Sequence, residues 1–368
     1  MMETRIRILH VVTYMGRGGL ETMIMNYYRH IDRSKVQFDF LVHRDFRADY
    51  DDEIESLGGR IYRLPRLVPW SGSYLRTLEQ FFQTHPEYKI VHVHQDCLSS
   101  VILKVAKKCG LPVRIAHSHS SSQDKNLKYF IKLFYKRWIP AYATQLFACG
   151  DEAGRWMFGG APFCVVNNAI DTKRYSYNPQ RNCQIRSALQ IPYDAFVVGH
   201  VGRFNSVKNH SFLLDVFAEV NRQKENSVLL LVGDGDLRSE MEQKAISLGI
   251  ANRVIFTGIR SDVPDLMQAM DCFAFPSFYE GIPVTLIEAQ AAGLPCIVSD
   301  AVPKECAKTA LVTHIPLSAG AAHWAEEMLK MQCISRQDTR EQIIQVGYDI
   351  EANAQWLQNY YLEQRKDW

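Results

Sequence analysis

Thirteen short runs of aliphatic and β-branched residues, separated by amphipathic or polar stretches, constrain the fold of this chain most. In the first half they are RILHVV, FDFLVH, RIYRL, IVHVH, VRIAHS, QLFACG and CVVNN. In the second half they are FVVGHVG, SVLLLVG, RVIFTG, CFAFPS, PCIVSD and ALVTHI. Between them lie segments with helical periodicity such as LETMIMNYYRHI and SYLRTLEQFFQT, so the chain reads strand, helix, strand throughout. Runs this uniformly apolar are buried on both faces, as in parallel sheets. The pattern predicts an α/β chain of two doubly wound, Rossmann-like domains with parallel sheets, residues 1–178 and 179–349, changing over near the polar stretch YSYNPQRN. The closing helix pattern, residues 350–368, can pack on either domain.

At 368 residues, 47% of them apolar, the chain is long enough to bury two cores. The net charge of +2 hides an asymmetry. Residues 1–180 carry 25 Lys+Arg against 17 Asp+Glu, and residues 181–368 carry 17 against 23, so the halves can face different partners. Nine cysteines, without a Cys-x-x-Cys pair, argue for reduced thiols rather than a disulfide framework or zinc site. MMETRIRILHVVTY passes into a strand pattern without a signal-peptide core, and no apolar run approaches the ~18 residues of a membrane span. These features predict a cytoplasmic protein whose membrane contact is peripheral.

In FYEGIPVTLIEA, Pro283 suits the first turn of a helix, because the N–H it lacks would be unpaired there. The N–H groups from about Val284 to Leu286 then offer a place for an anionic group such as phosphate. Glu288 falls roughly 7.5 Å along that helix. Glu280 and Glu288, flanking an anion site, are better suited to neutral hydroxyls, one on a sugar and one on a ribose. In HVGRFNSVKNH, Arg203 and Lys208 follow a buried strand, where a guanidinium and an ammonium suit a diphosphate; ordinary charges on a solvated loop are the other reading. In YMGRGGLET, Gly16, Gly18 and Gly19 let a backbone approach a ligand, although the spacing is not that of a dinucleotide fingerprint.

Two His-x-His segments occur, His92 with His94 and His117 with His119. Histidines alternating on a strand share one face, but with no third ligand or carboxylate nearby in sequence the first pair reads as packing, and no metal site is expected. Asp234-Gly235-Asp236 reads as a turn after a strand rather than as a metal-binding pair. In KNLKYFIKLFYKRW, Lys125, Lys128, Lys132 and Lys136 recur at helical spacing with Arg137 among Tyr129, Phe130, Leu133 and Phe134. Such a helix, residues 125–138, can lie on an anionic membrane or bury its aromatic residues in the core.

Together, GGLE (18–21), GRFNSVKN, LVGDGDLR (231–238), FTGIRSDVPDLM (256–267) and the pair Glu280 and Glu288 resemble the group-1 retaining glycosyltransferases, glycosyltransferase family 4. The resemblance spans nearly the whole chain. It implies a GT-B fold whose two domains face a central cleft, the first holding the acceptor and the second the nucleotide-sugar donor, with the last helix crossing back to the first. It implies that Arg203 and Lys208 hold the donor diphosphate, that Glu288 accepts from the ribose and that Glu280 lies near the transferred sugar. Gly281, Ile282 and Pro283 would line the same pocket together with Val284, Thr285 and Leu286. Gly18 and Gly19 would close on the phosphates, and Gly258 and Ile259 would lie beside the base. One histidine would stand near the donor sugar, His119 rather than His117, with that choice open. The chain departs from the family pattern at Ala169, where many members have glycine. The implied activity is transfer of a sugar, from a UDP-sugar, to a hydroxyl of a glycan or lipid-linked acceptor, with retention and without a metal cofactor. A nucleotide-sugar epimerase, a sugar phosphorylase and a non-catalytic sugar-binding protein are the alternatives. The sequence carries no nucleic-acid recognition motif.

Overall fold

A computed structural model of the protein describes residues 5–120 and 129–367. Each of the thirteen apolar runs contains one strand. The chain divides into two compact units, Met1–Ala169 with Ile350–Trp368, and Ile170–Asp349.

The first unit holds β1 (Ile6–Val11), β2 (Val36–Val42), β3 (Ile61–Arg63), β4 (Ile90–Val93), β5 (Val113–Ser118), β6 (Gln145–Ala148) and β7 (Cys164–Val165). They form one parallel sheet in the order β3-β2-β1-β4-β5-β6-β7. Alternation sorts the side chains. Leu9, Val11, Val91 and Val93 enter one apolar layer, with Leu78, Phe82 and Ile102 from the helices on that face. Ile8, Phe38, Phe40 and Ile115 enter the other, with Met23, Tyr27 and Tyr28 of helix Gly19–His30 and Leu357 and Tyr361 of helix Ile350–Glu363. Each phenylalanine fully withdrawn from water in these layers contributes about 2 kcal/mol. The closing helix is thus part of the first unit, where Gln358 Oε1 accepts from Asp32 N–H at 2.6 Å.

The second unit holds β8 (Phe196–Val201), β9 (Ser227–Val232), β10 (Val254–Phe256), β11 (Cys272–Phe275), β12 (Cys296–Ser299) and β13 (Val312–Ile315), parallel in the order β10-β9-β8-β11-β12-β13. Strands β8, β9, β11 and β12 are buried along their whole length. Residues 170–178, which the sequence reading assigns to the first domain, pack in the second unit instead. Ile170 N–H donates to Tyr348 O at 2.9 Å, and Thr172 Oγ1 donates to Asp349 Oδ1 at 2.7 Å. The polar stretch that resembles a linker is anchored: Asn178 caps helix Pro179–Ala188, and its own N–H donates to Gln268 Oε1 at 2.9 Å.

Candidate active site

In the second unit the strand order reverses between β8 and β11, and in doubly wound sheets ligands collect beyond the carboxyl ends of the strands at such a reversal. Residues 202–209 follow β8 and residues 276–283 follow β11. The two segments are tied by Phe278 N–H donating to Val207 O at 2.9 Å. Asn205 caps the short 3-10 turn Ser206–Lys208, its side-chain oxygen accepting from Lys208 N–H at 3.1 Å, and Asn209 leaves the turn in the left-handed region at φ 54°. This geometry directs the Lys208 ammonium to Glu280 Oε1 at 2.7 Å and over the Phe275 ring, 4.5 Å from its centroid. Both side chains are shielded, 18% exposed for Lys208 and 12% for Glu280. Glu280 therefore holds the Lys208 cation in this structure. Arg203, on the same loop, is exposed, and among the described residues its side chain makes no hydrogen bond or ion pair.

The helix after Glu280 runs Val284–Ala291, with Pro283 extended at the N-cap (ψ 117°), so the proline precedes the first turn rather than occupying it. Leu286 N–H is taken by Pro283 O at 3.1 Å. The anion-binding N–H groups expected from Val284 to Leu286 thus reduce to those of Val284 and Thr285, and the Leu286 side chain is wholly buried in the core. Gly281 O accepts from Cys306 Sγ at 3.4 Å, and Ile282 is buried beside it. Glu288 is 5% exposed and accepts from the Tyr175 hydroxyl at 2.6 Å. Burial raises its carboxyl to about 7, against the pull of that hydrogen bond. Tyr175 carries no sequence signal for this role, since it sits 113 residues from its partner. Beyond β10, Gly258 occupies the left-handed region at φ 72°, which glycine tolerates without a Cβ clash, and accepts from Gly233 N–H at 3.0 Å. Ile259 next to it is 56% exposed. Asp234 is engaged in its turn, accepting from Gly235 N–H at 2.7 Å and Arg238 Nη1 at 2.9 Å. A pocket of about 260 Å³ opens at the opposite end of this sheet around Arg186, Asp271 and Arg336, away from these groups.

In the first unit the order reverses between β1 and β4, and a pocket of about 350 Å³ lies there, lined by Thr13, Tyr14, Glu21, His94, Gln95 and Asp96 among others. Gly18 is the N-cap of helix Gly19–His30, and a Cβ placed on Gly19 would meet nothing within 4 Å. His119, just past β5, is partly exposed, whereas His117 is 2% exposed. Neither stands alone. His94 Nδ1 and His119 Nε2 are 2.8 Å apart, His92 Nε2 and His117 Nδ1 3.1 Å, and His10 Nδ1 and His94 Nε2 3.1 Å. Burial pushes His10 down to about 3 and His92, His94 and His117 well below the usual imidazole value, so the group is neutral. The third ring that the sequence lacks beside each His-x-His pair is supplied by the fold: His10 joins His92 and His94, and His94 joins His117 and His119.

Of the basic aromatic segment, Lys125 and Lys128 lie outside the described residues. Asn126 and Leu127 lie outside them too, and Tyr129–Lys136 forms a helix, none of it buried. Phe130 is 78% exposed, Phe134 51% and Trp138 41%, so these aromatic side chains are not core. Among the described residues no helix is long and apolar enough to cross a membrane.

The family profile described as "Glycosyltransferase Family 4" matches residues 17–174, and that described as "Glycosyl transferases group 1" matches residues 183–309. A Bacillus subtilis protein named putative glycosyltransferase EpsF is 38% identical over 98% of this chain and 97% of its own length. An Escherichia coli UDP-Gal:alpha-D-GlcNAc-diphosphoundecaprenol alpha-1,3-galactosyltransferase is 26% identical over 58% of each chain. Among solved structures, Anabaena Alr3699/HepE in complex with UDP and glucose superposes with a TM-score of 0.79 at 20% identity, over 98% of this chain and 100% of its own, a likeness of fold. With two Rossmann-like units and a relative matched along almost its entire length, this chain belongs to the group-1 glycosyltransferases of glycosyltransferase family 4 and has their GT-B fold.

Proposed function

We propose that the protein moves a sugar from a uridine diphosphate donor to a hydroxyl of a glycan or lipid-linked acceptor, with retention, in the synthesis of a surface or capsular polysaccharide. The observation that carries this reading is the shielded pair of Lys208 and Glu280, with the free cation Arg203 on the same loop as Lys208, at the point where the second sheet reverses order. A diphosphate would take Lys208 from Glu280 and add Arg203, and Glu280 would turn to a sugar hydroxyl. As the bond from the anomeric carbon to the diphosphate oxygen breaks, the acceptor oxygen bonds on the same face and its proton passes to the departing phosphate. The two cations, with the N–H groups of Val284 and Thr285, meet charge where it develops, and this reading needs no divalent ion. Glu288 already accepts from one hydroxyl, that of Tyr175, and a ribose hydroxyl would take the same role. Gly258 and Ile259 would flank the base, Gly281, Ile282 and Pro283 the donor pocket, and His119 the sugar. In this reading the second unit holds the donor and the first the acceptor.

The names of the relatives support the reading. One acts, by its name, with UDP-Gal on a diphosphoundecaprenol-linked sugar, and another, from Staphylococcus aureus, is called a capsular polysaccharide biosynthesis glycosyltransferase. The exposed aromatic helix supports peripheral contact with the inner face of a membrane, where a lipid-linked acceptor would be found.

The test is a thermal-shift screen of sugar nucleotides, followed by nucleotide release with and without glycan acceptors and by NMR of the product's anomeric proton. A uridine-linked sugar should raise the melting temperature, because a ligand bound only to the native state stabilises it by mass action. UDP release should then require acceptor. Conversion of the donor sugar without acceptor, or dependence on inorganic phosphate, would replace transfer with epimerisation or phosphorolysis.

A further inference from the structure

We propose that Tyr175 is a positioning residue for donor binding: its hydroxyl fixes the Glu288 carboxylate so that the second oxygen, Oε2, meets a ribose hydroxyl. The inference rests on the reading that Glu288 meets the ribose, and it adds the side chain that prepares Glu288 for that contact. Among the described residues the Tyr175 hydroxyl is the donor to that carboxylate, reaching Oε1 at 2.6 Å. The length is that of a hydroxyl donating to an ionised carboxylate, the stronger class of hydrogen bond. Among the described residues Oε2 makes no hydrogen bond, and it is not sealed from solvent. One oxygen is engaged and one is open.

A phenol can orient another group only if its own place is fixed. Tyr175 closes the short helix Thr172–Tyr175, whose cap Asp171 accepts from Arg174 N–H at 3.3 Å. Gln268, wholly buried, holds the chain on both sides of the ring. Its Nε2 donates to Tyr175 O at 3.2 Å, and its Oε1 accepts from Asn178 N–H at 2.9 Å. Tyr175 is 8% exposed and belongs to the apolar layer that holds Ile282, Val284 and Ile287. Glu288 follows Ile287 on helix Val284–Ala291, so both partners of the hydrogen bond stand on elements anchored in one layer. Little side-chain freedom is left to lose when a ribose arrives, and this is how preorganisation raises affinity.

The same hydrogen bond acts on charge. Burial penalises the ionised carboxyl of Glu288 and raises it to about 7, whereas the Tyr175 hydroxyl and, after it, Arg174 on the same short helix pull it down. Without the hydroxyl the carboxyl would stay protonated over more of the neutral range, and a protonated carboxyl is a weaker acceptor for a ribose hydroxyl. Loss of the hydroxyl therefore leaves Glu288 both looser and less charged.

A double-mutant cycle between the tyrosine and the ribose tests this. Calorimetry at pH 7.5 measures UDP, 2′-deoxy-UDP and 3′-deoxy-UDP on the full-length native protein and on Tyr175→Phe, which keeps the ring in its apolar layer and removes the hydroxyl alone. On the native protein at least one analogue should bind about 10- to 100-fold more weakly than UDP, the usual worth of a hydrogen bond to a charged group. In Tyr175→Phe that loss should shrink to about threefold or less, and the affinity for the affected analogue should stay within about twofold of native. A tyrosine that only supported the fold would weaken UDP and the analogue by one common factor and leave the loss unchanged, a result that overturns the proposal. Glu288→Gln separates the two levels. A reduced loss there beside an unchanged loss in Tyr175→Phe would keep the role of the carboxylate and remove that of the tyrosine. If neither analogue binds the native protein more weakly than UDP, Glu288 does not meet the ribose, and both go together.

Discussion

Lys208 Nζ lies 2.7 Å from Glu280 Oε1, although the two residues are 72 apart and sit on segments that leave different strands. The pair is a reservoir of positive charge held by an internal anion until a stronger one arrives. Replacing Glu280 with Gln removes the competing carboxylate. UDP should then bind more tightly, by about fivefold if the partly shielded pair is worth roughly 1 kcal/mol. Turnover should nevertheless fall, because the donor sugar loses its partner. Lys208→Ala and Arg203→Ala should each lower turnover about 10²-fold, the usual effect of removing a group that stabilises transition-state charge. Calorimetry with UDP and initial rates with donor and acceptor separate the two effects. Near-normal turnover in both cation variants would remove the proposed mechanism.

Glu288 makes the stability of the second unit depend on pH in an unusual direction. Its carboxyl is raised from 4.5 to about 7, so between those values the folded chain holds a proton that the unfolded chain releases. Its contribution is therefore complete below about pH 4.5 and is lost as pH rises through about 7. Glu288→Gln keeps the acceptor for Tyr175 and cannot ionise. The variant should match the native protein at pH 5 and exceed it in stability at pH 8, by at most about 3 kcal/mol. Denaturant melts of both proteins at pH 5, 6, 7 and 8 check this, and a constant or shrinking gap would contradict it.

How much of this was legible beforehand depends on distance along the chain. Periodicity of two along a strand and helical spacing between strands are local, and every quoted apolar run became a strand. The approximate meeting of Lys208 and Glu280 was also within reach, since both follow buried strands and ligands gather at such ends. Tyr175 on Glu288 and the joining of His10 to His94, 84 residues away, depend on strand order, which no local pattern encodes. The unit boundary was misplaced for a related reason. Polarity at 175–182 resembles a linker, but Asn182 Nδ2 donates to Gln268 O at 2.7 Å, so that polarity is spent on buried partners. Pro283 fits either the N-cap or the first turn, and only the traced chain shows that the helix begins one residue later.

Acid should open the first unit before the second. Among the described residues, five buried histidines of the first unit, His10, His43, His92, His94 and His117, and the partly exposed His119 are lowered by desolvation, whereas the second unit has His200 and His210 and the opposing Glu288. A histidine kept neutral by the fold gives its full contribution above the unfolded value near 6.5 and loses it as pH falls toward the folded value. Limited proteolysis or hydrogen exchange at pH 7.5 and pH 5 should show cleavage or exchange rising first in residues 5–169. Earlier opening of residues 170–349 would refute the assignment.

Helix Tyr129–Lys136 presents aromatic rings to water beside cations. Arg137 lies over Phe134, 4.3 Å from its centroid, and over Trp138 at 5.1 Å, and Lys136 lies over Trp156 at 4.3 Å. Exposed Phe130 and Phe134 would gain by entering a lipid interface, and the cations would gain from anionic headgroups. Vesicles containing phosphatidylglycerol should therefore bind the protein, vesicles of phosphatidylcholine alone should bind it weakly, and raising salt should release it, since the attraction is screened. Phe130→Ser with Phe134→Ser should weaken binding by at least about tenfold, given about 0.7 kcal/mol or more for each ring moved out of water. Lys132→Glu should act mainly through the salt-sensitive part. Equal binding to neutral and anionic vesicles, or no effect of the double serine variant, would show that this surface does not meet the membrane.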